Sequence, residues 1–244
     1  MRSVFIDVDT QHDFCAPDGA LFVPGADMLH ATFVDLFALA TEHEIPVLSS
    51  VDSHAFDAWE FAGSPTAGPR GERPNFPPHC LKGTPGWLKL FGTLAPRVRF
   101  VPNVPLRHDE LKSAMRANRP QQIVLEKEVY SLFANPNAEL VLDELTAGGG
   151  ATRFIVFGVA LDFCVKSAAL GLEDWLGRRN RDGEVWLIED ATAAVDPRRF
   201  AETLRALAEA DVQIRSMSAV HEAIGREART RAKLPMAQGA LVSR

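Results

Sequence analysis

The sequence predicts a single doubly wound α/β domain, with a central, mainly parallel six-stranded sheet flanked by helices. Three observations carry that prediction. Short runs of near-continuous Val, Ile, Leu and Phe alternate with longer segments of helical period, as expected for strands buried on both faces and joined by helical crossovers. Neither an internal repeat nor a long linker divides the alternation. The chain has 244 residues, 46% of them hydrophobic and 24% charged, which suffices for one sizeable core.

Val4–Asp9 reads as a buried strand, Ala26–His43 as an amphipathic helix and Pro46–Val51 as a second strand. A Gly/Pro-rich excursion follows from Gly63 to Gly86; an irregular stretch of that length inside a compact domain is more often functional than decorative. Trp87–Leu94 and Asp109–Asn118 read as helices, Gln122–Glu126 as a strand, and Asn137–Leu145 as a helix closed by the Gly148–Gly150 run. Then come strand Phe154–Val159, helix Phe163–Leu176, strand Glu184–Ile188, helix Arg198–Ala210, a short strand near Val212–Ile214 and helix Ala219–Arg226. The domain is expected to span residues 1–228, with 229–244, rich in charge and carrying Pro235 and Gly239, as a frayed tail.

Net charge is −6, so no basic face points to nucleic acid. No run approaches the roughly 20 apolar residues of a membrane helix, and the first residues lack the pattern of a signal peptide. The three cysteines, Cys15, Cys80 and Cys164, are odd in number and widely spaced, which fits reduced thiols in a cytoplasmic protein.

In an open parallel sheet, ligands bind beyond the carboxyl ends of the strands. Asp9 ends the first strand, Asp52 and His54 follow the second, Lys127 follows Gln122–Glu126, and Cys164 lies in the turn after Phe154–Val159. Four strands thus deliver reactive groups to one rim. Taken singly, Cys164 would be a buried small hydrophobe, Asp9 a turn cap and Lys127 a solvated charge; their convergence argues otherwise. At a helix start, and near an ammonium such as Lys127, Cys164 is expected to have a lowered pKa, while Asp9 could take its proton and return it to a leaving amine. His54 and His79, with Asp52, could hold a metal such as zinc, iron or manganese, and Pro77-Pro78 would hold the second imidazole stiffly. No G-x-G-x-x-G follows the first strand, and there is neither a phosphate-binding P-loop nor a G-x-S-x-G elbow.

Asp9-Thr10-Gln11-His12-Asp13-Phe14 resembles the D-x-Q-x-D-F opening of the isochorismatase-like cysteine hydrolases. Asp52-Ser53-His54 and Phe76-Pro77-Pro78-His79-Cys80 resemble the metal motifs of the nicotinamidase/pyrazinamidase branch. Glu126-Lys127 with Tyr130-Ser131 and Phe133 resembles its lysine motif, and Gly158 to Lys166 its nucleophile segment. The resemblance implies a catalytic triad of Asp9, Lys127 and Cys164, and a metal held by Asp52, His54 and His79. A fourth ligand would be Glu72, seven positions before His79, with Glu60 as a less well-placed rival. One divalent transition metal is implied, Zn2+ first, then Fe2+ or Mn2+. A cis Val159–Ala160 bond would turn the N–H of Ala160, with that of Cys164, toward an oxyanion, and Phe14 and Phe76 would wall the substrate ring. His12, Leu132 and the long excursion depart from the family pattern, the last two bearing on pocket shape.

The expected activity is cleavage of a small heteroaromatic carboxamide to acid and ammonia through a Cys thioester. The alternatives are a ureido or carbamoyl hydrolase of the same superfamily, or a metal- or ligand-binding module with vestigial catalysis. The expected partner is a small-molecule amide, with homo-oligomerisation possible.

Overall fold

Seven strands, one more than the sequence predicts, form the sheet of the computed structural model, which describes residues 1–68, 71–73 and 75–233. They are β1 (Arg2–Val8), β2 (Val47–Asp52), β3 (Val98–Val101), β4 (Gln122–Lys127), β5 (Thr152–Val159), β6 (Gly183–Ala193) and β7 (Gln213–Arg215). Their order is β3-β4-β2-β1-β5-β6-β7, and every neighbouring pair is parallel. The helices are α1 (His12–Cys15), α2 (His30–Glu42), α3 (His108–Asn118), α4 (Ala138–Leu145), α5 (Lys166–Arg178), α6 (Phe200–Ala208) and α7 (Met217–Lys233). No helix among the described residues is long and apolar enough to cross a membrane.

The period of two along each strand splits its side chains between two cores. Val4, Ile6 and Val8 of β1 pack with Leu111 of α3, Leu142 of α4, Trp175 of α5 and Leu207 of α6. Phe5 points the other way and packs with Phe33, Leu36 and Phe37 of α2 and with Val220 and Ile224 of α7. Burial on both faces explains why the central strands read as unbroken apolar runs.

Three expectations change. Strand β3 went unread because it is a four-residue edge between Pro96 and Pro102, with only Val101 fully buried, so neither periodicity nor an apolar run marks it. Trp87–Leu94 is not a helix: a short 3-10 turn covers Pro85–Trp87, an extended piece follows through Leu90, and the chain then turns at Phe91-Gly92. Tertiary bonds override the helical pattern there. Leu88 and Leu90 pair with His12 and Thr10 through the backbone, and Lys89 makes a buried ion pair with Asp7 at 2.7 Å. Finally, α7 continues to Lys233, so the first part of the expected tail is helical; the rest lies outside the described residues.

The strand order reverses at β1, between β2 on one side and β5 on the other. A crevice at their carboxyl ends is the consequence of that topology.

Candidate active site

Asp9 leaves β1 with a left-handed φ of 49°, uncommon for a residue with a side chain. Its Oδ1 accepts from Ser50 Oγ at 2.7 Å, and its Oδ2 lies 2.8 Å from Lys127 Nζ. The parallel register of β2 and β4 sets Asp52 directly beside Lys127, and Asp52 Oδ1 takes a second, short contact from the same ammonium. Lys127 Nζ also lies 3.7 Å from Cys164 Sγ. Asp9, Lys127 and Cys164 therefore meet as one buried cluster, with Asp52 joined to it.

The nucleophile turn is built for close approach. Gly158 has φ 116°, and a Cβ there would fall 2.1 Å from the Val8 carbonyl oxygen, so only glycine lets β5 lie this close to β1. The Val159–Ala160 bond is cis. Leu161–Val165 then winds as a single π turn, with Val165 N–H donating to the Ala160 carbonyl at 3.0 Å, and runs on into α5.

Burial opposes charge throughout this cluster. It pushes the Cys164 thiol up, outweighing the Lys127 ammonium that pulls it down, while Asp9 and Asp52 add to the rise. The sequence expectation of a lowered thiol pKa weighed the helix and the lysine but not the depth of burial. Asp9 is likewise raised, chiefly by burial, against the pull of Lys127. Lys127 overcomes its own burial through Asp52 and Asp9 and stays charged. Burial works against the Asp52 carboxylate too, but Lys127 and His54 hold it well below the usual range. The resting pattern is a thiol beside a carboxylate that can receive its proton. Because the ammonium favours the thiolate, Lys127→Met should move the pH midpoint of Cys164 alkylation upward and slow alkylation at neutral pH. Iodoacetamide rates against pH, with the modified residue located by mass spectrometry, check this; an unmoved profile would remove Lys127 from thiol activation.

A second cluster adjoins the first. The far oxygen of Asp52, Oδ2, lies 3.8 Å from His54 Nε2 and 3.9 Å from His79 Nε2, and these three donors converge as a group that could hold a metal. Glu60 Oε1 approaches the same nitrogens, at 3.0 Å from His54 and 3.4 Å from His79. The Glu72 carboxylate packs over Gly68, where a Cβ would come within 2.6 Å of its Oε2. Of the two carboxylates, Glu60 is thus the one seen beside the imidazoles.

Neither ring nitrogen of buried His54 has a well-formed hydrogen bond, although Nε2 faces the Glu60 and Asp52 carboxylates, an arrangement that asks for a ligand. His79 Nδ1 lies 2.8 Å from the Pro77 carbonyl, which can only accept, so Nδ1–H donates and the Nε2 lone pair faces inward. Burial disfavours a charge on His54, yet Asp52 and Glu60 lift its pKa to about 9. The carboxylates demand a cation, and a divalent metal answers both that demand and the orphaned nitrogens. Gln11 braces the junction: its side-chain amide accepts from Asp52 N–H at 2.7 Å and donates to the carbonyls of Asp52 and Trp87 at 2.8 and 2.9 Å.

From the two clusters, Cys164, Asp52, Glu60 and His79 line a small cleft of about 60 Å³. Phe14 and Phe76 stand in its wall, with ring centroids 5.5 and 6.0 Å from that of His79. Leu21, Val23, Tyr130, Phe163 and Val195 complete the apolar lining; Tyr130 and Phe163 fall within the motifs, but sequence reasoning gave none of the five a place in the wall. Tyr130 bridges Phe76 and Phe163, at centroid distances of 6.4 and 5.3 Å. Its phenol is pushed up to about 12 by burial and by nearby Glu60 and Cys164, so it serves as a neutral wall. Leu132 is buried in the core and does not line the cleft, and His12 faces Asp18 at 3.4 Å.

Comparison with known proteins assigns the chain to a family. The family model described as the Isochorismatase domain matches residues 3–218. The chain is 30% identical over 173 residues to the uncharacterized isochorismatase family protein PncA of Bacillus subtilis (strain 168), covering 70% of this chain and 78% of that protein. It is 36% identical over 86 residues to the nicotinamidase/pyrazinamidase of Mycobacterium tuberculosis, over 35% of this chain and 42% of that one. The solved pyrazinamidase of Pyrococcus horikoshii in complex with zinc shares the fold, with a TM-score of 0.63 at 23% identity, covering 89% of this chain and 100% of that chain. With nine-tenths of its length matched by that model, the chain belongs to the isochorismatase domain family.

Proposed function

We propose that this protein hydrolyses a small heteroaromatic carboxamide to the acid and ammonia through a thioester on Cys164. The observation that carries the reading is the juxtaposition of Cys164, Lys127 and Asp9 with a His/His/carboxylate cluster on the floor of one aromatic-walled cleft. The relatives named nicotinamidase and pyrazinamidase support the same substrate class.

In the first half-reaction Asp9 takes the thiol proton and the sulfur attacks the carboxamide carbon. The carbonyl oxygen gains the negative charge, and the Ala160 and Cys164 N–H groups are its donors. Asp9 returns the proton to the nitrogen, the C–N bond breaks and ammonia leaves. Water then attacks the thioester while Asp9 accepts its proton; collapse frees the acid, and the proton goes back to sulfur. Lys127 stays protonated, holding Asp9 in place and easing the charge on sulfur. Asp52, His54 and His79, with Glu60 beside them, would hold a zinc ion, which when bound supplies a Lewis acid to orient the substrate or polarise a water.

Aromatic walls over a metal-binding floor favour a ring-bearing carboxamide over a small ureido compound. Ammonia release from nicotinamide by purified, zinc-loaded protein tests the reading; no release from nicotinamide, pyrazinamide or benzamide overturns it. The metal assignment has its own check in elemental analysis. His54→Ala and His79→Ala should each lose most of the zinc, and Glu60→Gln should weaken it by about 10–100-fold. Glu72→Gln should leave it bound. Loss of zinc in Glu72→Gln but not in Glu60→Gln would restore the opposite ranking.

A further inference from the structure

Val195 lies where the chain leaves β6 and turns across the mouth of the cleft. Ala193 and Ala194 before it are buried, whereas Val195 is 43% exposed and still contributes to the cleft wall. The sheet no longer holds the backbone at this point, because β6 ends at Ala193. One side chain does. Asp162 Oδ1 accepts from Val195 N–H at 3.0 Å, and Asp162 Oδ2 accepts from Asp196 N–H at 3.1 Å. Both oxygens of a carboxylate are thus engaged by consecutive amides of the rim, and hydrogen bonds to a charged acceptor are the stronger kind.

Asp162 stands two residues before Cys164, in the same π turn. It does not line the cleft. Beyond the clamp, Asp196 accepts from Arg198 N–H at 3.1 Å and starts the turn into α6, so the rim segment is pinned at both ends. We infer that Asp162 is a positioning residue that holds Val195 as an apolar gatepost, so that the turn carrying the nucleophile also sets how bulky a ring can reach it. The inference rests on the reading of the cleft as a carboxamide site, and it gives Asp162 of the nucleophile segment a hold on Val195, a determinant of substrate size that lies outside the motifs.

The test uses zinc-loaded wild type, Asp162→Ala, Asp162→Asn, Val195→Ala and the double variant Asp162→Ala/Val195→Ala. Two quantities are read: KM and kcat for nicotinamide, and the ratio of Cys164 alkylation rates with N-phenyliodoacetamide and with iodoacetamide. Asp162→Ala and Val195→Ala should each raise KM and the bulky-to-small ratio by about 3- to 10-fold, the worth of one or two hydrogen bonds, with kcat falling less than about threefold. Asp162→Asn, which keeps one acceptor oxygen, should lie between them and wild type. The double variant should be no worse than the stronger single one, because both changes act through the same side chain. Additive effects, a fall in kcat with KM and the ratio unmoved, or wild-type values throughout would overturn the inference. Should Asp162→Ala fail to fold, Asp162→Asn and Val195→Ala decide it on the same ratio. Were the wild type to hydrolyse none of the amides, the carboxamide reading would fall, while the alkylation ratio would still decide the gatepost independently.

Discussion

Replacing Cys164 with alanine is expected to abolish turnover, by at least about 10⁴-fold, because no other group at the cleft floor can form the acyl-enzyme. The fold should survive. Only the sulfur is removed, at a position bordering the cleft, and a cost of about 1 kcal/mol or less is typical of so small a deletion. Cys15→Ala and Cys80→Ala provide the contrast, since both thiols are buried in the apolar core that faces α2 and α7. Burial pushes both thiols up, so neither offers a thiolate. Ammonia release and circular dichroism on the three variants make the comparison. A Cys164→Ala enzyme with appreciable turnover would sink the thioester mechanism.

Asp9→Asn should be the next most damaging change, lowering kcat by about 10²–10⁴-fold, the usual worth of a positioned proton carrier. Asparagine can still accept from Ser50 Oγ, so the local scaffold persists. It cannot take a proton from sulfur or give one to nitrogen. The thiol should nonetheless become easier to ionise, because the Asp9 charge is among the influences that raise it. An inactive enzyme whose cysteine alkylates with a lower pH midpoint than wild type is therefore the expected signature. Retention of more than a third of wild-type kcat would show that another group moves the proton.

Much of this site was legible because each motif ends a strand, and strands buried on both faces announce themselves. Asp9, Asp52, Lys127 and Cys164 could be placed on one rim from apolar runs alone. The less legible parts depend on contacts between distant segments. Strand β3 is too short and too exposed to show a pattern. The segment around Lys89 has a helical look, yet a buried ion pair with Asp7 and backbone bonds to the β1 exit hold it extended. Tyr130 and Val195 enter the cleft through loop trajectories, and Asp162 matters through two amides on another strand's loop. The depth of burial at Cys164, which reverses the expected direction of its pKa, is a property of the packed molecule and leaves no mark in local sequence.

The excursion that carries His79 has a consequence for how such chains can diverge. Among the described residues, backbone bonds stitch its outgoing and returning legs at successive levels. His54 N–H donates to the Cys80 carbonyl and Lys82 N–H to that of His54, at 3.1 and 3.0 Å. Further out, Phe76 N–H donates to the Glu60 carbonyl and Ala62 N–H to that of Phe76, at 3.1 and 2.8 Å. The segment that leaves at Ala62 and returns at Phe76 therefore has its two ends already fixed. Closing a longer loop adds only about 0.6 kcal/mol for each doubling of length. Insertions at the tip are thus nearly free energetically and leave His54, Glu60 and His79 where they are, while shifting every residue count that crosses them. Counting back from His79 lands on Glu72, out in the tip, whereas Glu60 lies on the anchored side and keeps its place beside the imidazoles.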